Sequence, residues 1–258
     1  MDSVVHVWLA ALLLLQQHTF FFLVVGGFVG GVFAVILGGG MFFYTPFFQL
    51  MFPSVSFGAI VGNIKVGSFF RGIASTITTH PMIEYRKTIQ TSAVAFVGTI
   101  LGASLIANLD QRWLFPVTVL AIIVSELAPV VAKRITSRTF NIASFFTGMY
   151  AGFLGAGIGI LLVALFRVKH PEDKDIAVVK VQARFSEFLL GITAVVVHWL
   201  HGNLHMQIWL PWSIGAFVGG LVGGVLLKRI SGLTPQIQKI ILRTSFALAF
   251  IVSAWAFF

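Results

Sequence analysis

The sequence predicts an all-α polytopic membrane protein made of two inverted repeats, each a glycine-broken re-entrant helix pair followed by three transmembrane helices. Composition is the first observation behind this: 58% of the 258 residues are hydrophobic, only 10% are charged and the mean hydropathy is +0.98. A water-soluble domain carries about 25% charged residues. The second is an internal recurrence. Gly38 and Gly40 return as Gly157 and Gly159 (157 − 38 = 119), Asn63 and Lys65 as Gln182 and Arg184, and Gly72 as Gly191. Gly98 and Gly102 return as Gly215 and Gly219 at an offset of 117 (215 − 98). The third is where the loop cations fall, which fixes the topology.

Taken in chain order, residues 1–18 form an N-terminal extension. Residues 4–15 are apolar, but no positive segment precedes them and Asp2 has the wrong sign for a signal peptide, so an interfacial or extra helix is expected. The first repeat covers 19–138 and the second 139–258. Six stretches of the roughly 20 residues that a bilayer requires lie at 56–79, 88–109, 113–132, 177–200, 207–227 and 237–258. Two others, 18–52 and 139–167, carry glycine runs in the middle, Gly38 to Gly40 and Gly155 to Gly159. Glycine costs about 1 kcal/mol in a helix interior relative to alanine, so these runs interrupt their helices and leave short half-helices starting near Met41 and Ile160.

Loop cations decide whether the broken segments cross, because lysine and arginine accumulate on the cytoplasmic side. If both cross, the cations divide seven against five. If both turn back, Arg86, Lys87, Lys133, Arg134, Arg138, Arg167, Lys169, Lys174, Lys228, Arg229 and Lys239 share one side and only Arg112 lies on the other, eleven against one. Re-entrant segments with both termini outside follow. Three full crossings per half is an odd number, which inverts one half relative to the other. Inverted repeats with discontinuous helices place a substrate site near the bilayer middle.

Charge within a span costs about 2.5–3.5 kcal/mol even on lenient scales and marks function or a partner. Lys65, Arg71, Lys180, Arg184, Glu187 and Glu126 qualify. The repeat matches Lys65 with Arg184, so inversion sets both around one site as neutralising cations for an anion. Asn63 and Gln182, two residues before them, are candidates to orient it. Arg71 and Lys180 have no charged counterpart and read as cations that snorkel to an interface. Glu187 or Glu126 would serve as a counter-ion or as a proton-coupling group. At the breaks, Gly39, Gly40, Gly157 and Gly159 would offer backbone N–H groups and the positive end of a half-helix dipole, which bind anions without any side chain. Gly98, Gly102, Gly215 and Gly219 fit close helix packing better.

Several classes are disfavoured. The net charge of +9 is scattered between apolar segments instead of clustered on a soluble face, so nucleic acid is not expected as a partner. There is no cysteine. His198, His201 and His205 read as interfacial histidines, and neither a metal nor another cofactor is expected. No nucleophile and base stand at a suitable spacing for an enzyme.

The layout resembles the sulfite exporter TauE/SafE family over residues 19–258. The likeness rests on Gly27-Phe28-Val29-Gly30 leading to Gly38-Gly39-Gly40 and Pro46, on Gly62-Asn63-Ile64-Lys65, on Phe96-Val97-Gly98 with Gly102-Ala103, on the run Gly152 to Gly159, and on Gly215 to Gly219. Ala164 stands where the family often has proline, and Ile64 separates Asn63 from Lys65 where the family joins asparagine to lysine directly. The resemblance implies export of sulfite, sulfonates or related organosulfur anions across the cytoplasmic membrane, coupled to protons. The expected partners are then a small anionic substrate and the lipid bilayer, with a homodimer compatible with the sequence. A gated anion channel and an intramembrane enzyme are the alternatives.

Overall fold

The structure is a computed structural model that describes residues 2–37, 40–155, 158–173 and 176–230. Among those residues the α-helices are α1 Asp2–Leu37, α2 Gly40–Met51, α3 Phe57–Thr79, α4 Tyr85–Ala107, α5 Leu114–Ala132, α6 Phe140–Phe153, α7 Gly159–Lys169, α8 Ile176–Leu200 and α9 Met206–Ile230. The predicted crossings at 56–79, 88–109, 113–132, 177–200 and 207–227 correspond to α3, α4, α5, α8 and α9. The one at 237–258 lies outside the described residues. Residues from the N-terminal extension continue without a break into α1, whose 36 residues span about 54 Å at 1.5 Å each.

Among the described residues four helices are long and apolar enough to cross a membrane: His18–Val35 within α1, Tyr85–Ala107, Val178–Leu200 and Met206–Leu226. The protein is therefore a multi-pass membrane protein. Its outer surface agrees, since Phe20, Phe21, Phe22, Leu105, Ile142 and Trp199 all face outward. Such a surface would aggregate in water and is natural against lipid. α3 has the length of a span, 23 residues, but is not among the four. Its polar residues are turned inward instead: Asn63, Lys65 and Arg71 are buried.

Glycine fixes how the helices cross. α4 packs on α6, and α1 packs on α9. At the first crossing, a Cβ on Gly98 or Gly102 would sit 2.0 Å from the Phe145 carbonyl oxygen or 1.9 Å from that of Met149. At the second, a Cβ on Gly215 or Gly219 would sit 1.9 Å from the Val24 oxygen or 2.2 Å from that of Phe28. Backbones touch in both places, as small residues allow in helix packing within lipid.

The broken segments separate as the glycines predict, with α2 beginning at Gly40 and α7 at Gly159. At the end of α6, Gly155 adopts φ +71, and the N–H groups of Leu154 and Gly155 both return to the Tyr150 carbonyl. This is a left-handed helix stop that glycine alone adopts without penalty. α2 lies against an aromatic core in which Tyr44 and Phe48 meet the Trp212 ring of α9 edge-on, at centroid distances of 4.9 and 4.6 Å.

α3 and α8 run antiparallel through the middle. Gly62 faces His198 and Gly72 faces Phe188, so residues later in α3 meet residues earlier in α8. The candidate site lies between them.

Candidate functional site

A cavity of ≈ 50 Å³ opens between α3 and α8, with the ends of α1, α2, α6 and α7 around it. That volume holds about three or four waters, or one small anion. α3 presents Lys65, Ser68, Arg71, Gly72 and Ser75, while α8 presents Arg184, Glu187, Phe188, Leu190 and Gly191. These residues recur at helical spacings of three and four, so each set occupies one face of its helix. Three cations against one carboxylate leave the lining at +2 (3 − 1).

Lys65 is 6% exposed and donates from Nζ to the carbonyl oxygens of Ala151 (2.6 Å) and Leu154 (3.1 Å), at the end of α6. Those oxygens belong to the negative end of a helix dipole, which favours a cation. Gly155 makes room for the ammonium group, since a Cβ there would lie 3.2 Å from Nζ. Arg184 repeats the device: its Nη2 donates to the Val35 oxygen (3.3 Å), at the end of α1. The same offset relates Leu154 to Val35 (154 − 35 = 119) and Arg184 to Lys65. Lys65 therefore reaches the end of α6, and Arg184 the end of α1.

Glu187 receives Arg184 Nη1 at 2.8 Å and Arg71 Nη2 at 3.0 Å. Arg71 also interacts with Tyr44. Reading Arg71 as a snorkelling cation is therefore corrected: it is 8% exposed and turned into the cavity, because its partner is a carboxylate on a different helix. The signal available in the sequence was the polar stripe Lys65, Ser68, Arg71, Ser75 at steps of three, three and four. Lys180 does lie exposed.

The other expected site residues are placed differently. Lys65 and Arg184 line one cavity, but from its two ends, because α3 and α8 are antiparallel. Asn63 and Gln182 are buried and do not line it. Asn63 Nδ2 donates to the oxygens of Ala59 (2.6 Å) and Asn203 (3.1 Å), and its Oδ1 accepts the His205 N–H (2.9 Å). Gln182 Oε1 accepts the Glu84 N–H (3.1 Å) and the Thr88 hydroxyl, while its Nε2 donates to the Met82 oxygen (3.2 Å).

Glu126 lies exposed on α5, away from the cavity. Gly39 and Gly157 fall outside the described residues. Gly40 and Gly159 open α2 and α7, whose neighbouring residues Met41 and Ile158 line the cavity, so both half-helices begin at its wall. His198 is not interfacial as expected. Its ring is fully buried against Gly62, whereas His201 and His205 are exposed.

Lipid-exposed apolar helices around a cationic cavity at two helix breaks agree with one family in particular. The family model described as Sulfite exporter TauE/SafE matches residues 23–255. The chain belongs to the sulfite exporter TauE/SafE family. TauE/SafE proteins form a transporter family, not an enzyme family, and membership implies movement of sulfur-containing anions through a membrane. No curated protein and no solved structure matches the chain. For this TauE/SafE member the cavity is the candidate place where an anion binds.

Proposed function

We propose that this protein is a secondary transporter that exports a small sulfur-containing anion, sulfite or a compact organosulfonate, across the cytoplasmic membrane through the cavity between α3 and α8. The observation that carries the reading is the lining charge: Lys65, Arg71 and Arg184 line one cavity with only Glu187 to balance them. Taking three cations out of water is expensive unless anions compensate. Glu187 neutralises part of the charge and the substrate supplies the rest. Arginine can hold two oxygens of a sulfite or sulfonate group in its planar fork, and Lys65 acts as a point charge with a third proton to offer. The starts of α2 and α7 add the positive ends of two helix dipoles.

Two inverted repeats are the architecture that fits this mechanism. The pairings support it: α1 with α9 and α6 with α4, and likewise α3 with α9 and α8 with α4, exchange under the repeat. So do the cavity residues Val35 and Leu154, Lys65 and Arg184, Ser68 and Glu187, and Gly72 and Gly191, each pair 119 positions apart. In this reading 18–52 and 139–167 are re-entrant, both termini are outside, Glu187 is the counter-ion and the group through which protons could be coupled, and the repeats divide at residue 138.

The test is anion counterflow in proteoliposomes. Saturable exchange of labelled sulfite that is lost in K65M and R184Q supports a carrier. Conductance without saturable counterflow would make the protein a gated channel, and chemical change of the anion would make it an enzyme. Reporter fusions after Ser137 and after Lys174 should both report cytoplasm, and opposite sides would defeat the re-entrant topology.

A further inference from the structure

Asn63 and Gln182 are matched by the repeat (182 − 63 = 119), and each stands two residues before a cavity cation. Neither reaches the cavity. Asn63 on α3 instead holds the backbone of the α8–α9 loop at Asn203 and His205. Gln182 on α8 holds the backbone of the α3–α4 loop at Met82 and Glu84, and takes a third bond from Thr88. Each half thus fastens a loop of the other half.

The two fastenings lie at opposite ends of the antiparallel α3–α8 pair. The α8–α9 loop follows the end of α8, beside the start of α3. The α3–α4 loop follows the end of α3, beside the start of α8. The cavity lies between them, Lys65 next to one clasp and Arg184 next to the other. At the Asn63 end the closure has further support: Asn203 Nδ2 donates to the Ala107 oxygen (2.8 Å), and the buried His198 ring packs on Gly62. At the Gln182 end, Lys87 at the start of α4 pairs with Asp173 (3.1 Å) in the α7–α8 loop.

We infer that Asn63 and Gln182 are the latches of two gates, one at each membrane face, and that both latches are fastened in this structure. A carrier must open one side while the other stays closed. Carboxamides suit the task because they grip backbone through neutral hydrogen bonds, each worth only about 0.5–1.5 kcal/mol net, so a latch can release without stranding a charge. The inference rests on the transport reading, and the experiment below reads access to the cavity instead of transport, so the two can fail separately.

The chain has no cysteine, so a single introduced thiol reports alone. Ser68 lines the cavity and is half-buried. S68C in the full chain, in sealed membrane vesicles of known orientation, is treated from each face in turn with a charged, membrane-impermeant thiol reagent. Adding N63L should raise the labelling rate roughly tenfold from the face of the α8–α9 loop alone, the population shift expected from losing one or two hydrogen bonds. Adding Q182L should raise it from the opposite face alone. Equal gains from both faces, gains of both variants from the same face, or no gain in either would overturn the inference. If N63L or Q182L does not fold, N203A and T88V each remove one supporting bond and should give the same one-sided pattern more weakly. A one-sided pattern in a protein that moves no sulfur anion would keep the gates and change only the cargo.

Discussion

The two walls of the cavity carry residues at matching positions, 119 apart, yet are wired differently. On α8, Arg184 has Glu187 one turn away, so that wall is neutral in sum. On α3 the matched place holds Ser68, and Arg71 stands where α8 has Leu190, so that wall carries two positive charges. Among the described residues no carboxylate pairs with Lys65, which is held by carbonyl oxygens alone. In the two-repeat reading, differences at two matched positions concentrate charge on one side. In the proposed transport reading the α3 wall carries the surplus charge that an anion would meet, while Glu187 of α8 holds Arg184 and Arg71 in place.

K65M should sharpen this difference most. It is expected to lower anion affinity by at least about a hundredfold, the effect of losing a buried charge partner of about 3 kcal/mol, while the protein still inserts and elutes as a single species. Anion titration by thermal shift checks it. Retained affinity in K65M together with loss in R184Q would reverse the roles of the two walls.

E187Q should act chiefly on stability. One arginine would keep a neutral acceptor in place of a charged one and the other would face the new amide N–H group, which we expect to cost about 2–3 kcal/mol. An unfolding midpoint in detergent, measured beside that of K65M, tests the contrast: the α8 variant should be the less stable of the two, and the reverse order would break the comparison.

The matched glycines offer a smaller test. A Cβ on Gly72 would sit 2.4 Å from the Phe188 ring, whereas a Cβ on Gly191 meets nothing within 4 Å. G72A should lower the unfolding midpoint by the equivalent of about 1–3 kcal/mol of overpacking, and G191A should leave it within about 0.5 kcal/mol. Because its methyl group enters the cavity, G191A should still weaken binding of a bulkier sulfonate relative to sulfite. Equal midpoints for the two variants would mean that the walls are packed alike.

The smallest expected effect is that of E126Q. Glu126 is exposed on α5, away from the cavity, so anion affinity and stability should stay within about twofold and 0.5 kcal/mol of the parent. Glu126 and Glu187 looked equally eligible because a carboxylate in an apolar run carries no mark of which way its helix is turned.

Much of the architecture could be read directly from residue order. Hydropathy and length located α3, α4, α5, α8 and α9, since a helix that spans a bilayer needs a run of known size. Three glycines within three residues, and three within five, announced the helix stops at α1–α2 and α6–α7, because glycine loses most by being helical. The offset of 119 picked out Lys65 and Arg184 as a pair, and family membership follows from the same motifs. What the polar neighbours do was settled only by tertiary packing. Arg71 could be placed only once α8 brought Glu187 to it from 116 residues away. Asn63 and Gln182 looked like ligands because they flank the cations in sequence, but residues two apart point to different faces of a helix, and each had a loop from the other half to hold. Order along the chain sets which groups enter the membrane, whereas the antiparallel register of α3 and α8 sets which of them meet.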